Sequence, residues 1–237
     1  MKPILFNSDM VRAILAGRKT VTRRIVRPKY RRGESGWRIV RNKYTGEFMY
    51  CEYYDEHEAS ARSLTPPYRI GEILYVRETW KQATGDPAGG GYALFDTYVY
   101  KADGKAKDDY PLDCLDIEKR WHPSIHMPKE AARIFLRVTE VMVERLQDMT
   151  EDDACWEGYN GCPFEHTIYF PEGGMEICVN IPGECPVDLW YCNHSLQEGF
   201  GRDVWDNTIK PSELSIYGWD ANPWVWVIEF ERCEKPK

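Results

Sequence analysis

The chain has 237 residues, of which 43% are hydrophobic and 14% aromatic, and its formal net charge is −7. That size and apolar content suit one large domain with a sizeable core and exclude a disordered or fibrous chain. No apolar run approaches the ~20 residues of a membrane-spanning helix, and the start MKPILFNSDM lacks the apolar stretch of a signal peptide. A cytoplasmic protein with no membrane partner is expected.

The charge is unevenly spread. From Met1 to Lys43 there are thirteen Lys and Arg against Asp9 and Glu34, so this segment carries +11 and the rest −18. Two readings follow: a local anion site of the kind that binds nucleic acid, or a basic edge neutralised by acidic neighbours in the fold. The eight cysteines, with no leader before them, read as reduced thiols.

In chain order, PILF (Pro3 to Phe6) predicts a short strand. NSDMVRAILAG predicts a helix capped by Asn7 or Ser8, with Met10, Val11, Ile14 and Leu15 on its buried stripe and Gly17 as its stop. KTVTRRIV alternates β-branched with polar residues and predicts a strand. Residues 28–67 are charged, Tyr-rich and turn-rich, an extension with a hairpin. Tyr68 to Trp80 (YRIGEILYVRETW) predicts one strand entered by a turn, and Thr84 to Gly91 a loop. YALFDTYVYKADGK predicts a strand and an Asp-Gly turn; residues 108–129 follow as an irregular connection.

ARIFLRVTEVMVERL (Ala132 to Leu146) predicts a long, bulged strand. The next segment, QDMTEDDACWEGY, predicts a helix capped by Thr150, acidic in its first turn and ended by Gly158. Residues 161–202 are loop-rich. ANPWVWVIEFERC closes the chain as a strand whose Trp224 and Trp226 read as core. Few helices and irregularly spaced strands predict an α+β fold built on a curved sheet or small barrel.

The stretch LAGRKTVTRR (Leu15 to Arg24) carries the candidate chemistry. It is not a P-loop: no glycine lies five residues before Gly17, and the order runs from helix to strand. A lysine beside a threonine can activate its hydroxyl where burial or neighbouring cations lower the amine's pKa. Lys19, Thr20 and Thr22 with Arg18, Arg23 and Arg24 fit that pattern; a strand edge with surface lysines is the plainer alternative. Trp80 and Arg77 are candidates for stacking on and contacting a base. His122 and His126 sit in a proline-broken loop. Cys162, Cys178, Cys185 and Cys192, with His166 and His194, share one insertion. They lack a Cys-x-x-Cys pair, so ordinary thiols are favoured over zinc; no metal or cofactor is expected.

Four blocks in order, DMVRAILAGRKTVTRR, GEILYVRETW, VTEVMVERLQDMTEDDACWEGY and NPWVWVIEFE, resemble the ASCH domain, a relative of the PUA RNA-binding domain, and most closely its larger bacterial and phage members. The resemblance implies one PUA-like β-barrel domain over 1–237, with insertions at about 28–67, 84–128 and 160–210. It also implies a cleft between the Gly17 turn and the helix ending at Glu157. Small ASCH enzymes hydrolyse the acetyl amide of N4-acetylcytidine. Carried over by motif, Lys19 becomes the base, Thr22 the nucleophile, and Glu157 the group that holds the base or protonates the leaving amine. Those enzymes place an acidic residue soon after the motif. Here TRRIVRPKYRR is strongly basic, which implies RNA as well as a nucleoside as substrate or partner, with Arg18, Thr20, Arg23, Arg24, Arg77 and Trp80 as contacts. The alternatives are a non-catalytic RNA-binding module, or a phage protein that binds a host protein through 160–210.

Overall fold

A computed structural model describes residues 1–27, 37–55, 58–85, 95–104, 116–117, 120–159, 166–169, 175–178 and 195–236. The chain opens with β1 (Lys2–Leu5), α1 (Ser8–Leu15) and β2 (Val21–Ile25). Asn7 caps α1 by accepting a hydrogen bond from Met10 N, and Val11, Ala13 and Ile14 form its buried stripe. Gly17 ends the helix in the left-handed region at φ 74° and turns the chain into β2.

The predicted hairpin in the Tyr-rich extension is a three-stranded antiparallel sheet: β3 (Trp37–Arg41), β4 (Phe48–Asp55) and β5 (Glu58–Ser63). The strand expected across Tyr68 to Trp80 is two. β6 (Ile73–Arg77) and β7 (Trp80–Gly85) lie in different sheets, and β7 pairs with β8 (Phe95–Tyr100) and β9 (Asp116–Ile117). The break falls at Glu78, whose side chain turns inward. Arg133 meets it with two parallel bonds, Nε to Oε1 at 2.9 Å and Nη2 to Oε2 at 3.0 Å. The guanidinium also reaches both oxygens of Asp103 and lies 3.9 Å from the centre of the Tyr100 ring.

The 11 residues of β10 (Phe135–Arg145) pair with the last strand of the chain, and a register shift between Val138 and Glu140 supplies the expected bulge. The short α2 (Glu151–Trp156) starts with a capping box between Thr150 and Asp153. A separate hairpin joins β11 (His166–Tyr169) and β12 (Met175–Cys178). Next come α3 (Leu196–Gly199), a π-helical stretch Phe200–Trp205, α4 (Asp206–Thr208), α5 (Leu214–Tyr217) and β13 (Trp224–Cys233). The predicted loop-rich region thus ends, from Leu196, in helix. Its four cysteine positions are not testable as a metal site: Cys162, Cys185 and Cys192 with His194 fall outside the described residues, and of Cys178 and His166 only the backbone is described.

The main sheet runs β1-β6-β10-β13-β2, with β1 and β6 parallel and the other pairs antiparallel. The fold is α+β. The five strands do not close into a barrel, since no ladder joins the edges β1 and β2. β13 alternates as its sequence predicts. Trp226, Ile228 and Phe230 join a core with Ile4, Phe6, Ile14, Leu74 and Leu136, while Val225 and Val227 pack on the other side with Val21, Phe200, Trp205 and Trp219. Trp224 is half-buried, with the Arg145 guanidinium 4.4 Å from its ring centre. No described helix is long and apolar enough to cross a membrane.

Because Glu78 is buried and its partner is a single guanidinium, removing that partner strands a carboxylate in the core. Arg133→Ala is expected to lower the unfolding free energy by about 3–5 kcal/mol, whereas the double change Arg133→Met with Glu78→Met costs less. Urea titrations of both variants check this.

Candidate active site

Two helix ends meet at the site. α1 stops at Gly17 and α2 stops at Gly158, which takes φ 86°. A Cβ added to Gly158 would lie 2.7 Å from Ala13 Cβ and 3.1 Å from Lys19 Cβ, so only glycine lets the two turns touch. Backbone bonds fix the contact: Thr20 N donates to Trp156 O at 2.9 Å and Lys19 N to Ala13 O at 3.1 Å. Lys19 stands just past one glycine and Glu157 just before the other.

The Lys19 side chain is fully buried and the Glu157 side chain is 2% exposed. All three ammonium protons have acceptors: Val21 O at 2.8 Å, Glu157 O at 2.9 Å and Glu157 Oε2. Burial pushes the Lys19 pKa below its ordinary value, against the pull of the Glu157 carboxylate and with help from Arg24 and Arg23. Burial of both side chains removes this ion pair from bulk solvent.

Arg23 steadies the carboxylate from the other side. Its Nη1 lies 3.4 Å from Glu157 Oε1, its Nε donates to Glu144 Oε1 at 2.9 Å, and its Nη2 lies 3.1 Å from Asp153 Oδ1. Burial opposes the Arg23 charge; the carboxylates of Glu157, Glu144 and Asp153 overcome that and raise its pKa. Burial likewise raises the Glu144 carboxyl against the pull of Arg23.

Thr22 is buried, and its Oγ1 accepts from Arg24 Nη1 at 2.9 Å. Arg24 also donates to Arg23 O at 3.0 Å and, from Nη2, to Leu5 O at 3.2 Å, so its side chain links the two edge strands of the main sheet. Burial pushes the Arg24 pKa below its ordinary value. Thr22, Arg23, Arg24 and Glu157 all line one cavity of about 550 Å³. Its remaining walls are largely apolar: Leu5, Phe6 and Met10 on the α1 side, and Phe200, Val204, Trp205 and Ile209 on the helical run after Leu196.

Of the residues singled out in the sequence, the structure gathers Lys19, Thr22, Arg23, Arg24 and Glu157. Thr20 is exposed, and Arg18 is exposed with Nη1 bonded to Gly158 O at 3.2 Å. Arg77 bonds Ile125 O at 3.1 Å, away from that cluster. Trp80 is buried and stacked on His122 at 4.9 Å, which leaves its face covered. Arg23, expected to meet a phosphate, is enclosed by three carboxylates instead. His126 is exposed and does not line the cavity. The wall formed by Phe200, Val204 and Trp205 was not anticipated; its only signal is the apolar spacing within LQEGFGRDVWD.

Part of the basic segment is paired with carboxylates. Lys2, Arg12, Lys19, Arg23 and Arg27 each lie within 4 Å of a carboxylate, on Glu72, Asp9, Glu157, Glu144 and Glu213 respectively. Among the described residues, no group of His, Cys, Asp and Glu is arranged to hold a metal ion. No family model, curated protein or solved structure matches the chain.

Burial makes the Lys19–Glu157 pair a structural as well as a chemical element. Lys19→Ala is expected to destabilise the protein by about 3 kcal/mol by leaving the buried Glu157 with only the longer contact to Arg23; Lys19→Met with Glu157→Gln removes both charges and costs less. Chemical denaturation of the two variants reads the difference. Gly158→Ala, which forces a side chain into the turn contact, is expected to lower thermal stability and to separate Lys19 from Glu157.

Proposed function

We propose that the chain is an amidohydrolase of the ASCH type that cleaves the acyl amide of a small modified nucleobase, with N4-acetylcytidine as the reference substrate. The observation that carries this reading is that Thr22 and Glu157 line one cavity, with Lys19 bonded to that glutamate. In this reading the five-stranded sheet corresponds to an opened PUA-like barrel, whose edges are linked by the Arg24 side chain to Leu5 O.

The mechanism follows from the groups present. The Thr22 oxygen attacks the acyl carbon, and its proton passes to the Lys19–Glu157 pair. The carbonyl electrons move onto oxygen. Collapse breaks the carbon–nitrogen bond, and the exocyclic nitrogen leaves with the proton held by the pair. Water then hydrolyses the acyl-threonine, using the same pair as base.

A small substrate is supported by the cavity, and Lys2, Arg12, Lys19, Arg23 and Arg27 are already matched to carboxylates. Cations already matched to carboxylates release few counterions on meeting a phosphate backbone. The mostly apolar walls suit a planar heterocycle with an uncharged acyl group.

Turnover of N4-acetylcytidine, followed by the loss of its ultraviolet absorbance, tests the reading. Thr22→Val is expected to lower kcat at least about a thousandfold, and Thr22→Ser to retain measurable activity. The kcat/KM profile is expected to rise with pH along an acid limb below 10.5, the ordinary lysine value, because burial lowers the Lys19 pKa. Full activity of Thr22→Val would remove this mechanism.

A further inference from the structure

We infer that Arg24 is itself a catalytic residue: it holds the Thr22 oxygen and stabilises the negative charge that builds there and on the acyl oxygen during attack. This rests on the amidohydrolase reading for its substrate, but its electrostatic content is testable without one.

Three observations carry it. Arg24 Nη1 donates to Thr22 Oγ1 at 2.9 Å, so the guanidinium touches the attacking atom and directs the hydroxyl's own proton away from itself. Arg24 lines the cavity, half-buried, with the Phe6 ring centre 5.5 Å from its guanidinium carbon. The oxygens that accept its hydrogen bonds, those of Thr22, Arg23 and Leu5, are all uncharged. Among the described residues, Lys19 and Arg23 each have a carboxylate within 4 Å, and Arg24 has none.

Arg24 feels the Glu157 carboxylate at longer range, but a cation whose direct contacts are all neutral gains when negative charge appears beside it. That is the electrostatic signature of a group matched to a reacting state rather than to a resting one. Nη2 uses one N–H on Leu5 O and carries a second, and the Arg24 side chain lines the cavity where an acyl oxygen would sit. In the step, the Thr22 O–H proton goes to the Lys19–Glu157 pair, the Oγ–carbon bond forms, and the carbonyl electron pair ends on the oxygen facing Arg24. When the carbon–nitrogen bond breaks, that charge returns to the carbonyl and Arg24 returns to its neutral hydrogen-bond partners.

The test places a titratable atom where the nucleophile stands. Thr22→Cys, alone and combined with Arg24→Gln, is alkylated with iodoacetamide across a pH series and read by mass spectrometry of the peptide containing residue 22. The single variant is expected to show its alkylation midpoint at least about one pH unit below that of the double variant. Equal midpoints overturn the inference, whatever the substrate. Adding Arg24→Lys, which keeps the charge and loses the fork, guards against loss of fold; its midpoint is expected near that of the single variant. With N4-acetylcytidine, Arg24→Gln is expected to lower kcat by about 10²–10³-fold, with KM within a few-fold and partial recovery on adding guanidinium. A loss confined to KM overturns the inference. If the unaltered protein turns over no acylated cytosine, the amidohydrolase reading falls, and the thiol midpoints alone decide the role of Arg24.

Discussion

The buried ion pair between Lys19 and Glu157 is the constraint around which the rest is arranged. Two charges removed from water are tolerable only with near-complete hydrogen bonding, and the fold provides it. Val21 O and Glu157 O take two ammonium protons, Glu157 Oε2 takes the third, and Arg23 approaches the other carboxylate oxygen. Glu144 and Asp153 in turn neutralise Arg23. Among the described residues Arg24, by contrast, has no carboxylate within 4 Å and lines the cavity.

Precision at this pair comes from backbone rather than from side-chain packing. Gly17 and Gly158 both adopt left-handed conformations, and the second allows α2 to press directly against α1. The amine and the carboxylate therefore sit on rigid helix termini and not on free loops. Such placement limits the side-chain entropy lost when the pair forms and keeps the proton's donor and acceptor aligned.

Much of this was legible from local chemistry. A cap at Asn7 or Ser8, the Gly17 stop, the Thr150 cap and the bulge in β10 follow from residue types at fixed offsets; the structure selects Asn7 and completes a capping box at Thr150. Lys19, Thr22 and Glu157 came from motif resemblance, and their convergence depends on a tertiary contact that no local pattern encodes. What was not legible has physical reasons. The split at Glu78 arises because a distant arginine, Arg133, draws that side chain inward. The burial of Arg23 depends on three carboxylates from 121 or more residues away. Trp80, at the edge of a loop in sequence, is covered by His122 across a long connection. In each case a long-range pairing decided what a short-range signal left open.

The cavity's two sides have different origins in the chain. Its polar floor belongs to β2 and the end of α2, while much of its apolar wall comes from Phe200, Val204, Trp205 and Ile209, on a helical run that is no part of the main sheet. The two sides are therefore separable in this molecule. The wall can be recut, residue by residue, to admit a differently shaped guest while Lys19, Thr22 and Glu157 beneath keep their geometry.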